Sequence, residues 1–470
     1  MSTTAPSPVY KADTPIAQLA DWLGDPVQPA DFPQTTLRFR NDRAAASIGL
    51  GGLTDEQWTK HFGRFEALPD NLPQSLALRY HGHQFRNYNP DIGDGRGFLF
   101  AQMRDQSGRL LDLGTKGSGQ TPWSRHGDGR LTLLGAMREI LATEKLEALG
   151  VNTSKTLSVI ETGEELERDD EPCPARSAVM VQLSHGHIRF GSFQRLLALE
   201  LPEEMEQLTQ YCLAQFPGPM PPESAPGREE PAAILLHQVV ERMADLAASL
   251  MVAGFVHGVL NTDNMNISGE CFDYGPWRFL PTWDPSFTAA YFDHAGLYAF
   301  GRQPEAIHWN CGQLAVALRA ICDAPPLIAA LERFGGLYME AVGRRWCWRL
   351  GTQSRGVEAD TKLVGACEEA MRESKIAPDS FFDNLRMAPD QASTTELADL
   401  LAEYERTAQS QTETTDTGAH KFLNLFAQDV DAIWAPIASD DDWSLLENTV
   451  ANLRQMGQRY GTAPKPMGHN

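Results

Sequence analysis

Two stretches of the 470-residue chain gather the side chains that could do chemistry. In the first, His257-Gly-Val-Leu-Asn-Thr-Asp-Asn-Met-Asn-Ile267 is followed by Asp273-Tyr-Gly-Pro276, which brings Asp263, Asn264 and Asp273 into one short segment. An Asp carboxylate can take a proton from a hydroxyl, and Asn and Asp oxygens suit a hard divalent cation such as Mg2+ or Mn2+. The second stretch holds Gly93-Asp-Gly-Arg-Gly97, Gly114-Thr-Lys-Gly-Ser-Gly119 and Gly127-Asp-Gly-Arg130. Glycines let backbone N–H groups approach an oxyanion, and Lys or Arg adds charge, so together the loops describe a phosphate cradle. None is a GxxxxGK[ST] loop. Any one of them alone reads as a hairpin turn that needs positive φ. Three in close succession favour the cradle.

Charge sharpens this. The chain has 40 Lys+Arg against 62 Asp+Glu, net −22, which speaks against a nucleic-acid or anionic-membrane binder. Residues 79–138 invert the sign, with nine basic residues against five acidic ones. An anionic ligand is therefore expected at this local patch. A third motif, Ser184-His-Gly-His-Ile-Arg-Phe-Gly191, offers Arg189 to a phosphate. His185 and His187 read as packing or hydrogen-bonding groups, because no Cys or carboxylate nearby completes a transition-metal set. GxSxG is absent and no Cys has an evident base partner, so a Ser or Cys hydrolase is not indicated.

The elements that must position these residues follow from patterning. Phe98–Met103 and Arg109–Lys116 read as a hairpin turning at 105–108, which puts Lys116 at a strand end. A helix is expected over 131–149, closed by Gly150, with Glu139 on its small-residue side beside Gly135 and Ala142. A strand Lys paired with a helix Glu is how kinase-like folds hold a phosphate-binding ammonium. The plainer alternative is a solvent-exposed Glu139. Strands at 156–160 and 178–183 flank a polar loop at 164–174. Beyond Gln194 the pattern turns helical, with a Pro/Gly loop at 216–231, a strongly periodic helix from Ala232 to Val252, helices from about 310 onward, and a polar loop at 409–420. The expectation is an α+β, bilobed chain: residues 1–75 an extension with little periodicity, 76–195 a strand-rich N-lobe with the glycine loops, 196–470 a helical C-lobe with the catalytic loop.

Seven scattered cysteines without a CxxC pair read as reduced, buried thiols. The first residues carry no apolar or Arg-rich targeting pattern, and the longest apolar run, Ala247–Leu260, is broken by Gly254, His257 and Gly258. A cytoplasmic protein without a membrane segment is expected.

Taken together, Gly82-His-Gln-Phe85, Gly93-Asp-Gly-Arg96, Lys116-Gly-Ser-Gly-Gln-Thr-Pro-Trp-Ser-Arg125, Asp128-Gly-Arg130, His187-Ile-Arg-Phe-Gly191, Asn261-Thr-Asp-Asn-Met-Asn266 and Asp273-Tyr-Gly-Pro276 resemble the selenoprotein O family, pseudokinase-related protein adenylyltransferases. The resemblance spans about residues 80–310. It implies a protein-kinase-like fold that transfers AMP from ATP to Ser, Thr or Tyr hydroxyls of protein substrates. Carried over by position, it implies that Gly93, Gly95, Arg96, Lys116, Asp128, Gly129 and Arg189 contact nucleotide. It likewise makes Asp263 the base, Asn264 and Asp273 the holders of Mg2+ or Mn2+, and Glu139 the partner of Lys116. A monomer is expected, and UTP as donor stays open.

Three positions depart from the family pattern. Gln182 stands where a second phosphate-binding Arg is usual, Arg86 replaces a glycine and could restore positive charge nearby, and Lys465–Asn470 lacks the family's terminal Cys or selenocysteine, so no thiol switch is expected there. Two other readings remain at this point. One is a small-molecule phosphotransferase of the aminoglycoside- or choline-kinase type, against which the adjacent Asp263-Asn264 pair speaks. The other is a catalytically inactive ATP-binding scaffold, favoured by Gln182.

Overall fold

Short apolar runs broken by turn residues give the first half of the chain its strands. The computed structural model describes residues 9–169, 171, 173–389, 392, 394–412 and 423–465. The strands are β1 (Gly24–Val27), β2 (Thr36–Arg40), β3 (Ser75–Leu78), β4 (Gly82–Gln84), β5 (Asn87–Asn89), β6 (Leu99–Arg104), β7 (Leu110–Lys116), β8 (Leu131–Thr132), β9 (Lys155–Leu166) and β10 (Ala175–Ser184). Eight of them form one antiparallel sheet in the order β1-β3-β6-β7-β10-β9-β2, with β8 beside β10, while β4 and β5 make a separate hairpin.

Side chains alternate across a sheet, and here the alternation sorts chemistry from packing. Leu111 and Leu113 of β7 join Phe98, Phe100, Val179 and Val181 in an outer apolar layer. Leu110 and Met180 belong to the inner layer, and the same period of two puts Asp112, Gly114 and Lys116 of β7, and Gln182 of β10, on that inner face.

The first 75 residues are not a separate extension. β1 and β2 occupy the two edges of the sheet. The Asp55–Phe62 helix plants Trp58 and Phe62, both fully buried, in the outer layer, and Trp58 Nε1 donates to Ser158 Oγ at 2.9 Å. Strands of four and five residues, one containing Pro26, are too short to show alternation, which is why the sequence hides them.

The Leu133–Ala148 helix packs on the inner face, capped by Thr132 Oγ1, which accepts from Gly135 N at 3.0 Å, and is followed by Gly150 at φ +73°. It starts two residues later than expected because Leu131 and Thr132 pair with β10. Of its charged residues, Glu139 is buried on the cleft side beside Lys116, and Glu144 and Lys145 are buried where the C-terminal helices cover the side away from the sheet. Arg454 Nε of the Ser444–Tyr460 helix donates to Glu144 Oε2 at 2.8 Å, and Asp379 joins Lys145 (2.7 Å) to Arg349 (3.0 Å).

In the helical half, the Pro231–Val252 helix is buried along nearly its whole length. It delivers the chain through Gly254 into Phe255–Val256, which pairs with Arg278–Phe279. The segment between these two short strands carries Asp263, Asn264 and Asp273. The 216–231 loop contains no helix or strand between the Pro202–Gln215 and Pro231–Val252 helices. Of the polar loop at 409–420, residues 413–420 lie outside the described residues. Six cysteines are buried and free and Cys173 is exposed and free; among the described residues no helix is long and apolar enough to cross a membrane.

Lys145 and Arg349 are fully buried and share one carboxylate, so removing it strands two cations in the core. Asp379→Ala is expected to lower unfolding free energy by about 3–5 kcal/mol, the scale for breaking a buried pair from one side. Equilibrium denaturation would check this, and a loss below about 1 kcal/mol would count against a structural role for the triad.

Candidate active site

Lys116 ends β7 on the inner face, directly over the Leu133–Ala148 helix. Its Nζ donates to Glu139 Oε1 at 2.8 Å and lies 3.0 Å from Asp273 Oδ1. The exposed-Glu139 alternative is thereby overturned: the residue is 7% exposed. Glu139 Oε2 accepts from Gln182 Nε2 at 3.1 Å. Asp273 binds Arg189 through its other oxygen, and Arg189 Nη1 also donates to the backbone carbonyl of Asp263 at 2.7 Å. The Arg189 guanidinium is sandwiched between the rings of Tyr80 and Phe272, each 4.6 Å away. Burial pushes the Asp273 carboxyl upward, but Arg189 and Lys116 outweigh it and hold the group well below the usual carboxylate range. Asp273 also sits at φ +51°, an uncommon backbone for a non-glycine residue.

Asp263 follows in a one-turn 3-10 helix, Thr262–Asn264. Burial pushes its carboxyl up to about 6, against the attraction of Arg189. Its Oδ1 is buried without a hydrogen-bond donor, and Oδ2 lies 3.5 Å from Gln84 Nε2. Asn264 gives its side-chain N–H to Val259 O at 3.0 Å, which leaves Oδ1 as the atom it can offer a cation.

These groups face one cleft of about 790 Å3. Lys116, Gln182, Arg189, Asp263, Asn264 and Asp273 line it, and so do Gly93, Gly95, Arg96, Asp128 and Gly129. Every expected site residue except Glu139, which stands behind Lys116, is thus gathered at one place. Two of the glycines are required by close packing. A side chain at Gly93 would strike the Trp123 ring at 2.5 Å, and Gly129, at φ +70°, lies against Gly119.

The cradle is smaller than the charge count suggested. Of the nine basic residues between 79 and 138, only Arg96, Lys116, Arg125 and Arg130 line the cleft. Arg79, Arg104 and Arg109 pair with Asp25, Asp13 and Asp105 elsewhere. Arg86 does not restore charge to the cleft: it pairs with Glu305 at 3.0 Å and lies over Trp309. Asp128 spends its carboxylate on Arg130 N (2.9 Å) and Arg168 (2.8 Å), so it shapes the glycine loop while lining the cleft. Arg168 lines the cleft too, from the hairpin loop that the sequence marks only as polar. Gln84 was visible as part of Gly82-His-Gln-Phe85, but nothing in the sequence says that it meets Asp263. His187 bonds Asp112 at 3.2 Å and His185 packs on Phe216, a hydrogen-bonding and a packing role as the sequence suggests.

Among the described residues no cluster of three or more His, Cys, Asp or Glu could hold a metal unaided. Asn264 Oδ1 and the ionised carboxylate of Asp273 are instead hard oxygen donors at the cleft, the donor type that suits a divalent cation such as Mg2+ or Mn2+.

A sheet Lys tied to a helix Glu, an Asp-Asn pair on a loop, a downstream Asp and glycine turns around one cleft define a kinase-like, phosphate-handling site. A family model described as "Protein adenylyltransferase SelO" matches residues 10–454, and the chain belongs to that family. "Protein nucleotidyltransferase YdiU" of Synechococcus elongatus is 40% identical over 489 residues, covering 97% of each chain. Its namesake from Synechocystis sp. is 41% identical over 468 residues, covering 93% of this chain and 97% of the relative. Among solved structures, ROP2 of Toxoplasma gondii, described as having a protein-kinase fold and no enzymatic activity, aligns at TM-score 0.24 and 14% identity over 74% of this chain and 86% of that one, too loosely to bear on the fold.

A hydrogen bond to a charged group contributes about 1.5–3 kcal/mol. Lys116→Met should therefore weaken binding of Mg2+-ATP by about ten- to a hundredfold in calorimetric titration. An affinity within about twofold of the parent would remove Lys116 from the phosphate site.

Proposed function

We propose that this chain transfers AMP from ATP to Ser, Thr or Tyr hydroxyls of protein substrates and releases pyrophosphate. The observation that carries the reading is the convergence of Asp263 with the Lys116–Asp273–Arg189 ion-pair chain on one cleft, in a member of this family. Lys116 and Arg189 stabilise charge on the polyphosphate, and Gly93, Gly95, Arg96 and Gly129 let the loop backbone close around it. Asn264 and Asp273 hold Mg2+ or Mn2+, which supplies further neutralisation of the phosphates when bound. Asp263 accepts the proton of the acceptor hydroxyl; a carboxyl raised toward neutrality is a stronger base than an ordinary one. Glu139 keeps Lys116 in place, and Gln182 holds the far oxygen of Glu139. UMP transfer fits the same phosphate chemistry. The six buried free thiols support a cytoplasmic setting.

Labelled ATP separates this from its rivals. With ATP labelled at the α-phosphate, protein should become labelled, and with γ-labelled ATP it should not. Asp263→Ala should lower transfer by about 10²-fold or more. Label entering protein only from the γ position would establish a phosphotransferase, and transfer unaffected by Asp263→Ala would remove the base.

A further inference from the structure

β4 and β5 belong to the strand-rich half in sequence, yet their hairpin lies on the catalytic loop of the helical half. Three consecutive loop residues meet three consecutive hairpin residues. His83 N donates to Thr262 Oγ1 at 2.7 Å, Phe85 N to Asn261 Oδ1 at 3.0 Å, and Gln84 Nε2 lies 3.5 Å from Asp263 Oδ2. Gly82 adds a fourth contact, since a Cβ there would sit 2.9 Å from Asp263 Oδ1 and 3.1 Å from its Cβ. Oδ1 is thus walled in, and Oδ2, beside Gln84, is left as the oxygen able to take a proton.

The direction of the Gln84 amide is fixed by a relay that begins on a backbone group. Asp91 N–H can only donate, and it donates to Asn89 Oδ1 at 2.9 Å. Asn89 must then present its NH2, which donates to Gln84 Oε1 at 3.0 Å. Gln84 must in turn present its NH2 to Asp263. The hairpin tip, Phe85 and Arg86, is left-handed at both residues (φ +50° and +62°) without a glycine. Contacts to the helical half hold it so: Phe85 lies against Tyr298, whose hydroxyl donates to Asn261 Oδ1 at 2.6 Å, and Arg86 lies on Trp309.

We propose that the Gly82–Asn89 hairpin is a template for the catalytic loop, with Gln84 the positioning residue that aims Asp263 Oδ2 at the acceptor hydroxyl and Asn89 the residue that orients Gln84. This rests on the reading of Asp263 as the base. Gln84→Met keeps the size and removes the donor. Asn89→Asp still accepts from Asp91 N but turns an acceptor toward Gln84, which should reverse its amide without touching Asp263.

The test is steady-state AMP transfer from Mg2+-ATP to casein as a Ser-rich acceptor, by the full chain. Gln84→Met should lower kcat about tenfold or more, with KM for ATP and the ATP-induced rise in Tm within about twofold of the parent. Asn89→Asp should lower kcat in the same way, and the double variant should be no worse than Gln84→Met alone, as for two residues in one relay. A Gln84→Met kcat within about twofold of the parent, a parallel rise in KM for ATP, or multiplying losses in the double variant would overturn the proposal. Asp263→Asn separates the two failures. If it keeps transfer, or if the parent transfers nothing to casein, the base reading falls and the template with it. If it abolishes transfer while Gln84→Met does not, only the template falls.

Discussion

Four charges of alternating sign, Glu139, Lys116, Asp273 and Arg189, run as one chain through the inner cleft. They come from a helix, a strand, a loop and a helix N-terminus, so the chain of ion pairs is also what sets these elements against one another. Glu139, Lys116 and Arg189 are each less than a tenth exposed. Taking an ion out of water costs several kcal/mol unless a partner and further hydrogen bonds replace the lost hydration. Each member supplies that replacement for its neighbours, which makes the arrangement cooperative: Asp273, half-buried on a left-handed backbone, would keep only Lys116 if Arg189 were lost, and Lys116 without Asp273 would lean wholly on Glu139. The rings of Tyr80 and Phe272 complete the enclosure of Arg189, and its bond to the Asp263 carbonyl extends the same order to the proposed base.

The same logic recurs one layer out. The Leu133–Ala148 helix carries Glu139 toward the cleft and Glu144 and Lys145 toward the C-terminal helices, where Arg454 and Asp379 meet them. Gly457 allows that approach, because a Cβ there would come within 2.9 Å of Ala148 Cα. The C-terminal third of the chain thus has a definite part in the site. It fixes from behind the helix whose Glu139 positions Lys116.

How much of this could be read beforehand depended on how local each determinant is. Lys116 at a strand end, the helix carrying Glu139, and the Asp263, Asn264 and Asp273 cluster are set by short-range pattern and motif, and the structure brings them together. The long helix in the second half was equally legible because its apolar positions are continuous. The edge strands β1 and β2 were not, being too short for alternation, and their place in the sheet is decided by pairing with β3 and β9, distant in sequence. Ion-pair partners were hidden for the same reason. Arg79 and Asp25, or Arg86 and Glu305, lie far apart in the chain, so counting charges over 79–138 credited the cleft with cations that serve elsewhere. Arg168 entered unannounced because a loop's polarity says nothing of the direction in which it folds.

Gln182 shows why charge count and charge placement have to be kept apart. Alternation puts residue 182 on the inner face opposite Gly114, where its side chain reaches Glu139 Oε2. An amide donates one hydrogen bond there without neutralising the carboxylate, so Glu139 presents its full charge to Lys116. An arginine in that position would carry one more cation to the cleft, but as a second cationic partner of Glu139 it would divide the attraction that holds the Lys116 ammonium. The cleft still has Arg96 and Arg125 on its wall, for which no carboxylate partner occurs among the described residues. The cations of the cleft are therefore of two kinds: an inner pair, Lys116 and Arg189, held by Glu139 and Asp273, and outer arginines beside the glycine loops. With Gln182 the inner pair is fixed by geometry instead of by excess charge, and under the proposed reading the outer arginines are the cations left to meet a polyphosphate.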